Sequence, residues 1–115
     1  MVTRFSTRDM YDVVLEVGGT RFRTSMKTVK RIIDGKKFWE KIAKEFDLYG
    51  TIYIDRDPKV FGYILNYLRD GSVIVPRDGC TLAQIKQEAQ FYGITNLVEK
   101  VDAILKDFNS DYLQI

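Results

Sequence analysis

The side chains that most enzymes use for acid–base and nucleophilic chemistry are nearly absent from this sequence. It contains no histidine, the commonest general base and the commonest neutral metal ligand. Its single cysteine, Cys80, follows a glycine in a polar segment and has no histidine to activate it. We therefore expect a protein that is not an enzyme.

Metal and phosphate sites are not expected either. Asp55, Asp57 and Asp70 carry the ligand chemistry for a divalent cation, but Asp57 is suited to cap a helix and Arg56 would compete for the carboxylates. The pair Gly18-Gly19 lacks the spacing of a phosphate-binding loop and precedes a predicted strand rather than a helix. The glycines are therefore turn residues, and the sequence predicts no metal and no cofactor.

The basic residues are concentrated in the first part of the chain. Residues 1–45 hold 11 Lys/Arg and 6 Asp/Glu, whereas residues 46–115 hold 7 and 10. No nucleic-acid partner is expected, because aromatic residues do not alternate with the basic ones and the sequence pI of 8.6 is modest. The opposite charges of the two parts fit either complementary faces that join copies of the chain or an ordinary solvated surface.

Alternating residues at the beginning of the chain predict a β-hairpin. Val13, Leu15 and Val17 alternate with less apolar positions, Gly18-Gly19 supplies a turn, and residues 21–24 return with Arg21 and Arg23 on the polar face. The β-branched and aromatic segment 51–54 predicts a third strand, and Val73–Val75 a short edge strand before a proline.

Helical spacing and capping residues predict five or six helices around this sheet. Asp57 as N-cap, Pro58 at the first helical position and Gly71 past the end delimit one helix. The other predicted helices are one from Ser25 to Gly35, one from Lys36 with an apolar stripe to Phe46, one from a Thr81–Gln84 capping box to Gly93, and one capped by Thr95 or Asn96. The predicted fold class is α+β, with a three-stranded sheet covered by helices.

Composition predicts one domain in a reducing compartment. A single cysteine forms no internal disulfide, no signal-peptide core is evident near Met1, and no apolar run approaches the ~20 residues that cross a bilayer. We expect a cytoplasmic protein without direct membrane insertion. The predicted division is a flexible segment over residues 1–11, the domain over 12–106 and a tail over 107–115.

Four blocks of residues carry a resemblance to a known family. They are Val14–Thr24, Ile54–Pro58, Ile64–Gly71 and Glu88–Ile94. In this order they resemble the potassium-channel tetramerisation type of BTB/POZ domain over about residues 12–106. Their residues are closer to those of the soluble KCTD proteins than to those of channel assembly domains. The segment Thr28–Gly35 departs from the family pattern, which usually has a proline and a serine there.

The resemblance implies closed homo-oligomers of four or five copies. For many KCTD members it also implies a role as adaptor that brings substrates to cullin-3 ubiquitin ligases; the alternative is the cytoplasmic tetramerisation domain of a voltage-gated potassium channel. Many channel domains hold zinc between subunits with His and Cys ligands, and this sequence lacks that ligand set.

The resemblance also points to candidate interaction residues. We expect the subunit boundary to contain charged and polar side chains: Arg21, Arg23, Asp55, Arg56, Asp57, Asn66 and Arg69. The alternative for Arg56 is an ion pair with Asp55 or Asp57 of the same subunit. Candidate cullin-3 contacts are aromatic and apolar residues: Phe46, Leu48, Tyr49 and Tyr92. The alternative for Phe46 and Leu48 is that they complete the core.

Overall fold

A two-residue turn joins the first two strands. In the computed structural model, which describes residues 13–29, 31, 51–108, 113 and 115, β1 (Val13–Val17) pairs antiparallel with β2 (Thr20–Thr24). Gly18 and Gly19 have φ of 53° and 92°. Two successive left-handed residues form the type I′ turn whose twist matches that of the strands, so the predicted hairpin is confirmed.

The third strand places β1 in the centre of the sheet. β3 (Thr51–Ile54) pairs parallel with β1, and the strand order is β2-β1-β3. Val13, Leu15 and Val17 are at most 1% exposed, because alternate residues of β1 point into the core. The opposite face of the sheet carries Glu16, Arg21, Arg23 and Tyr53.

Four helices cover the apolar face within the described part of the chain. They are α1 (Met26–Val29), α2 (Phe61–Asp70), α3 (Gly79–Tyr92) and α4 (Thr95–Leu105). At the centre of the core, the Phe61 ring lies 4.9 Å from that of Phe22 and 5.3 Å from that of Tyr92, centroid to centroid. This aromatic cluster joins β2, α2 and α3.

The helices end as predicted at two glycines. Gly71 and Gly93 follow α2 and α3 with φ of 77° and 75°, and each donates its N–H to a carbonyl of the preceding turn. The predicted starts are less accurate. Asp57 is not the N-cap of α2, because the helix begins at Phe61 and the Asp57 carboxylate instead accepts the Lys59 N–H at 2.9 Å.

Three further predictions of local structure are wrong. α3 begins at Gly79, so its N-cap is Asp78, whose carboxylate accepts the Thr81 N–H, and not Thr81. α4 has Ile94 at its N-cap position and no capping side chain. Residues 73–75 form no strand, and Ile74 is 92% exposed.

Part of the sequence prediction lies outside the described residues. This holds for the helix from Lys36 to Phe46, for most of the segment from Lys30 to Gly35 and for residues 1–11. In the described part, no helix is both long and apolar enough to span a bilayer.

Candidate interaction surfaces

The hairpin turn and the loop after β3 meet closely at one end of the sheet. The Gly18 N–H and the Arg56 N–H both donate to the Ile54 carbonyl, each at 3.0 Å. A Cβ at Gly18 would collide with the Arg56 carbonyl oxygen and with the Pro58 ring. The backbone at Asp55–Pro58 is therefore fixed by contact with a residue that must lack a side chain.

Arg56 is anchored in its own protomer. Its Nε donates to Glu88 Oε1 at 3.1 Å and its Nη2 to Glu88 Oε2 at 2.8 Å, and its guanidinium lies 4.3 Å from the centre of the Phe91 ring. The side chains of Arg56 and Glu88 are 28% and 9% exposed. This bidentate hydrogen bond to Glu88 raises the pKa of Arg56.

The predicted intramolecular partner of Arg56 was therefore wrong. The alternative named Asp55 or Asp57, which precede and follow Arg56 in sequence, but the guanidinium reaches Glu88 on α3. Asp55 and Asp57 are exposed, and neither forms an ion pair with another described residue. Two carboxylates thus remain at this end of the sheet for contact with another molecule. We call Asp55, Asp57 and the anchored Arg56 the acidic end.

A second group of predicted residues meets at the end of α2. Arg69 donates from Nη2 to the Arg23 carbonyl at 2.7 Å and from Nη1 to Asn66 Oδ1 at 3.2 Å. Arg31 donates from Nη1 to the Arg69 carbonyl at 2.6 Å. We call Arg23, Arg31, Asn66 and Arg69 the arginine cluster.

No carboxylate of the described residues forms an ion pair with the arginine cluster, although Asp70 lines the same cleft as Arg31. None of Arg23, Arg31 and Arg69 has a carboxylate oxygen of a described residue within 4.0 Å. All three are exposed, and Arg31 also lines a cleft of about 290 Å³ between the end of α2 and the beginning of α4. The cluster is therefore accessible to an anionic group.

Arg21 belongs to neither group. It lies on the outer face of the sheet, where its Nε is 3.3 Å from Oε1 of Glu16, its cross-strand neighbour. The pair is exposed, with 68% of the Arg21 side chain accessible to solvent. Tyr53, next in the same row across the sheet, is 46% exposed.

The seven predicted boundary residues thus do not form one patch. The acidic end precedes α2, whereas Asn66 and Arg69 lie on its last turns. A helix of ten residues is about 15 Å long, so α2 separates the two groups. The structure offers two charged surfaces of opposite sign.

The prediction that Tyr92 contacts cullin-3 is wrong, because the Tyr92 side chain is buried within the chain. Tyr92 is 1% exposed, because its ring packs against Phe61 and Phe91 in the core. The other candidate cullin-3 contacts, Phe46, Leu48 and Tyr49, lie outside the described residues.

Three contributors to these surfaces were missed at the sequence level. Glu88 and Phe91, which hold Arg56, are members of the block Glu88–Ile94 and were treated there only as a family signature. Arg31 was counted only as part of a basic region. In the described residues, no group of three His, Cys, Asp or Glu side chains is placed to hold a metal ion.

Comparison with known proteins assigns the fold to a family. A family model with the description BTB/POZ domain matches residues 13–101. The chain belongs to the BTB/POZ family. The predicted resemblance to the KCTD-like type is confirmed by relatives of that name.

These relatives extend over most of the chain. BTB/POZ domain-containing protein KCTD5 of Rattus norvegicus is 38% identical over 112 residues, which cover 90% of this chain and 46% of the relative. KCTD21 of Homo sapiens is 38% identical over 90 residues, with 76% and 35% covered. A BTB/POZ domain-containing adapter for CUL3-mediated RhoA degradation, protein 2 of Xenopus tropicalis, is 37% identical over 100 residues, with 85% and 31% covered. The chain therefore spans less than half the length of these curated relatives.

Proposed function

We propose that this BTB/POZ chain forms a homo-tetramer or homo-pentamer in the cytoplasm and acts as a KCTD-type substrate adaptor for a cullin-3 ubiquitin ligase. As a member of its family, it is a protein-interaction module. The observation that carries the finer proposal is the similarity to the Xenopus tropicalis protein, whose name describes an adapter for CUL3-mediated RhoA degradation.

The geometry of the acidic end supports its assignment to the subunit boundary. Glu88 and Phe91 hold the Arg56 side chain, and the contact at Gly18 holds the backbone, so Asp55 and Asp57 are presented on a rigid loop. A rigid, charged surface loses little conformational entropy when it docks. Repetition of one heterologous contact around an axis closes a ring of identical subunits.

For the contact with cullin-3 we retain the candidates Phe46, Leu48 and Tyr49 and remove Tyr92. Aromatic and large apolar side chains supply much of the energy at protein interfaces. The burial of Tyr92 leaves its ring no surface to offer.

Native mass spectrometry of the purified chain, with and without the amino-terminal domain of cullin-3, tests both parts of the proposal. We expect a mass four or five times the 13.4 kDa of one chain, and a second species that carries cullin-3. A monomer at micromolar concentration would overturn the assembly, and an unchanged mass after addition of cullin-3 would overturn the adaptor role.

The variant Asp55→Asn tests the position of the boundary. Asn has the shape of Asp without its charge, and the Asp55 side chain makes no ion pair with a described residue, so the fold should be retained. We expect dissociation at a protein concentration at least about tenfold higher than for the wild type, because a boundary charge pair is lost. Asp107→Asn, an exposed change beyond α4, is the matched control and should leave the mass unchanged.

A further inference from the structure

The outer edge of β2 has no strand beside it in the described part of the chain. The strand order β2-β1-β3 places β2 at one side of the sheet. Thr20, Arg21 and Arg23 are exposed, whereas Phe22 is partly buried and Thr24 is buried. An open edge is a row of backbone donors and acceptors that a second extended segment can match.

The hairpin geometry identifies the backbone groups that face outward. In a two-residue hairpin the residues that flank the turn, Val17 and Thr20, form a hydrogen-bonded pair, and such pairs alternate with non-hydrogen-bonded ones. The N–H and C=O groups of Arg21 and Arg23 therefore point away from β1. The hydrogen bond from Arg69 to the Arg23 carbonyl, at 2.7 Å, agrees with this orientation.

The arginine cluster gives this edge a preference for negative charge. A guanidinium has five N–H donors, and Arg69 uses one on the Arg23 carbonyl and one on Asn66. Its remaining donors, and those of Arg23 and Arg31, have no carboxylate among the described residues. A carboxylate beside the edge would meet several donors at once, which is the strongest kind of hydrogen bond available to a protein surface.

We propose that the edge of β2 and the arginine cluster together bind an extended acidic segment of another protein, which adds to the sheet as a further strand. A polypeptide is favoured over a nucleic acid because only a polypeptide alternates the N–H and C=O groups that match the outward N–H and C=O of Arg21 and the outward N–H of Arg23. The Arg23 carbonyl already accepts from Arg69, so the segment pairs with the three other groups. Carboxylates on alternate residues of the segment would share one face, and those on the helix side of the sheet would reach the remaining donors of Arg69 and Arg31. The Arg23 side chain projects from the opposite face of the sheet.

This inference goes beyond the proposed function. It assigns Arg21, Arg23, Asn66 and Arg69 to recruitment of a partner and so removes them from the subunit boundary. Asn66 and Arg69 lie at the opposite end of α2 from the acidic end. An adaptor needs such a second surface, because its oligomer contacts and its partner contacts must be satisfied at the same time.

Fluorescence anisotropy with three synthetic peptides on the full chain tests the strand and the charge separately. The first peptide alternates glutamate with valine and threonine, the second has glutamine for each glutamate, and the third is the first with alternate backbone nitrogens methylated. We expect the first to bind, and the second and third to bind at least about tenfold more weakly. The third removes backbone donors without a change of charge, so it separates strand addition from simple attraction of an anion.

The variant Arg69→Gln tests the arginine cluster, with Lys106→Gln as the control. Both residues are exposed cations, but Lys106 lies at the end of α4. We expect Arg69→Gln to weaken binding of the acidic peptide about tenfold and Lys106→Gln to change it by less than about twofold. Retention of the circular dichroism spectrum shows that both variants are folded.

Three results would overturn the inference. Absence of acidic-peptide binding would mean that the arginines only protect the edge against pairing. Equal affinity for the first peptide and its methylated form would mean that the surface binds the carboxylates without pairing the peptide backbone to β2. A fall in the oligomer mass of Arg69→Gln would place the cluster at the subunit boundary. Failure of the adaptor role would appear separately, as loss of cullin-3 binding while the wild-type chain still binds the acidic peptide.

Discussion

Replacement of Glu88 by glutamine should destabilise the protein by about 2 kcal/mol. The carboxylate accepts two hydrogen bonds from Arg56, and a hydrogen bond to a charged group contributes roughly 1.5 to 3 kcal/mol. Glutamine keeps one acceptor oxygen and loses the charge. Because 28% of the Arg56 side chain is exposed, water recovers part of the loss, and the cost stays below the roughly 3 to 5 kcal/mol of a fully buried pair.

A double-mutant cycle isolates the interaction from other effects of the substitution. Urea unfolding of the wild type, Arg56→Gln, Glu88→Gln and the double variant, at one protein concentration, gives the coupling free energy between the two side chains. A fixed concentration is needed because association of copies adds to the apparent stability.

The chain supplies a matched control for this cycle. Lys86 Nζ lies 2.8 Å from Asp102 Oδ1, the same distance as between Arg56 Nη2 and Glu88 Oε2, but the Lys86 and Asp102 side chains are 32% and 42% exposed. We expect a much smaller coupling for the Lys86–Asp102 pair, because solvent screens it and it has one hydrogen bond. Equal couplings in the two cycles would refute the reasoning that burial and bidentate geometry make Arg56 an anchor.

Three further outcomes are expected. Gly18→Ala should lower the free energy of unfolding in urea by roughly 3 kcal/mol and Gly19→Ala by roughly 1 kcal/mol, because both have positive φ but only at Gly18 would the methyl group meet backbone atoms; equal losses would contradict this. The Thr81 hydroxyl and N–H hold the pKa of Asp78 below its usual value, so Asp78→Ala should be less stable than the wild type at pH 7. Urea curves should show this difference begin to shrink as the pH falls below about 4, the ordinary pKa of an aspartate, and continue to shrink as the pH falls through the lowered pKa of the folded state. Tyr92→Ala should cost about 3 to 5 kcal/mol by thermal or urea unfolding, and a variant of unchanged stability would disagree with the burial of this ring.

The hairpin, β3 and the carboxyl ends of α2 and α3 were predictable because their signals are local. A two-glycine turn between alternating segments has few other interpretations, and Gly71 and Gly93 supply the left-handed residue that ends a helix. The starts of helices were harder to predict, because an aspartate carboxylate can accept a backbone N–H either in a turn or at a helix N-cap. The Asp57 carboxylate accepts the N–H of the residue two positions later, as in a turn, whereas the Asp78 carboxylate accepts the N–H three positions later, as at an N-cap. The identity of the residue, an aspartate before a helix, is the same in both cases and does not distinguish the two.

The two surfaces could not be predicted from the sequence because their contacts are distant in it. Arg56 and Glu88 are 32 residues apart, and Arg23 and Arg69 are 46 apart. The seven residues predicted for the subunit boundary include most of the charged side chains of the acidic end and the arginine cluster. Their division into these two groups depends on the length and direction of α2, which the sequence does not give. The burial of Tyr92 similarly follows from the packing of α3 against Phe61, which no local pattern encodes.

The central position of β1 has a consequence for synthesis of the chain on the ribosome. The hairpin of β1 and β2 is a local structure of the kind that forms within microseconds, but β3 follows only after residues 25–50. Until Ile54 has left the exit tunnel, one hydrogen-bonding edge of β1 lacks its parallel neighbour, and Leu15 and Val17 lack the helices that later bury them. The nascent hairpin therefore exposes an apolar face during translation. Chaperones that bind exposed apolar surfaces can act on it between the emergence of β2 and that of β3.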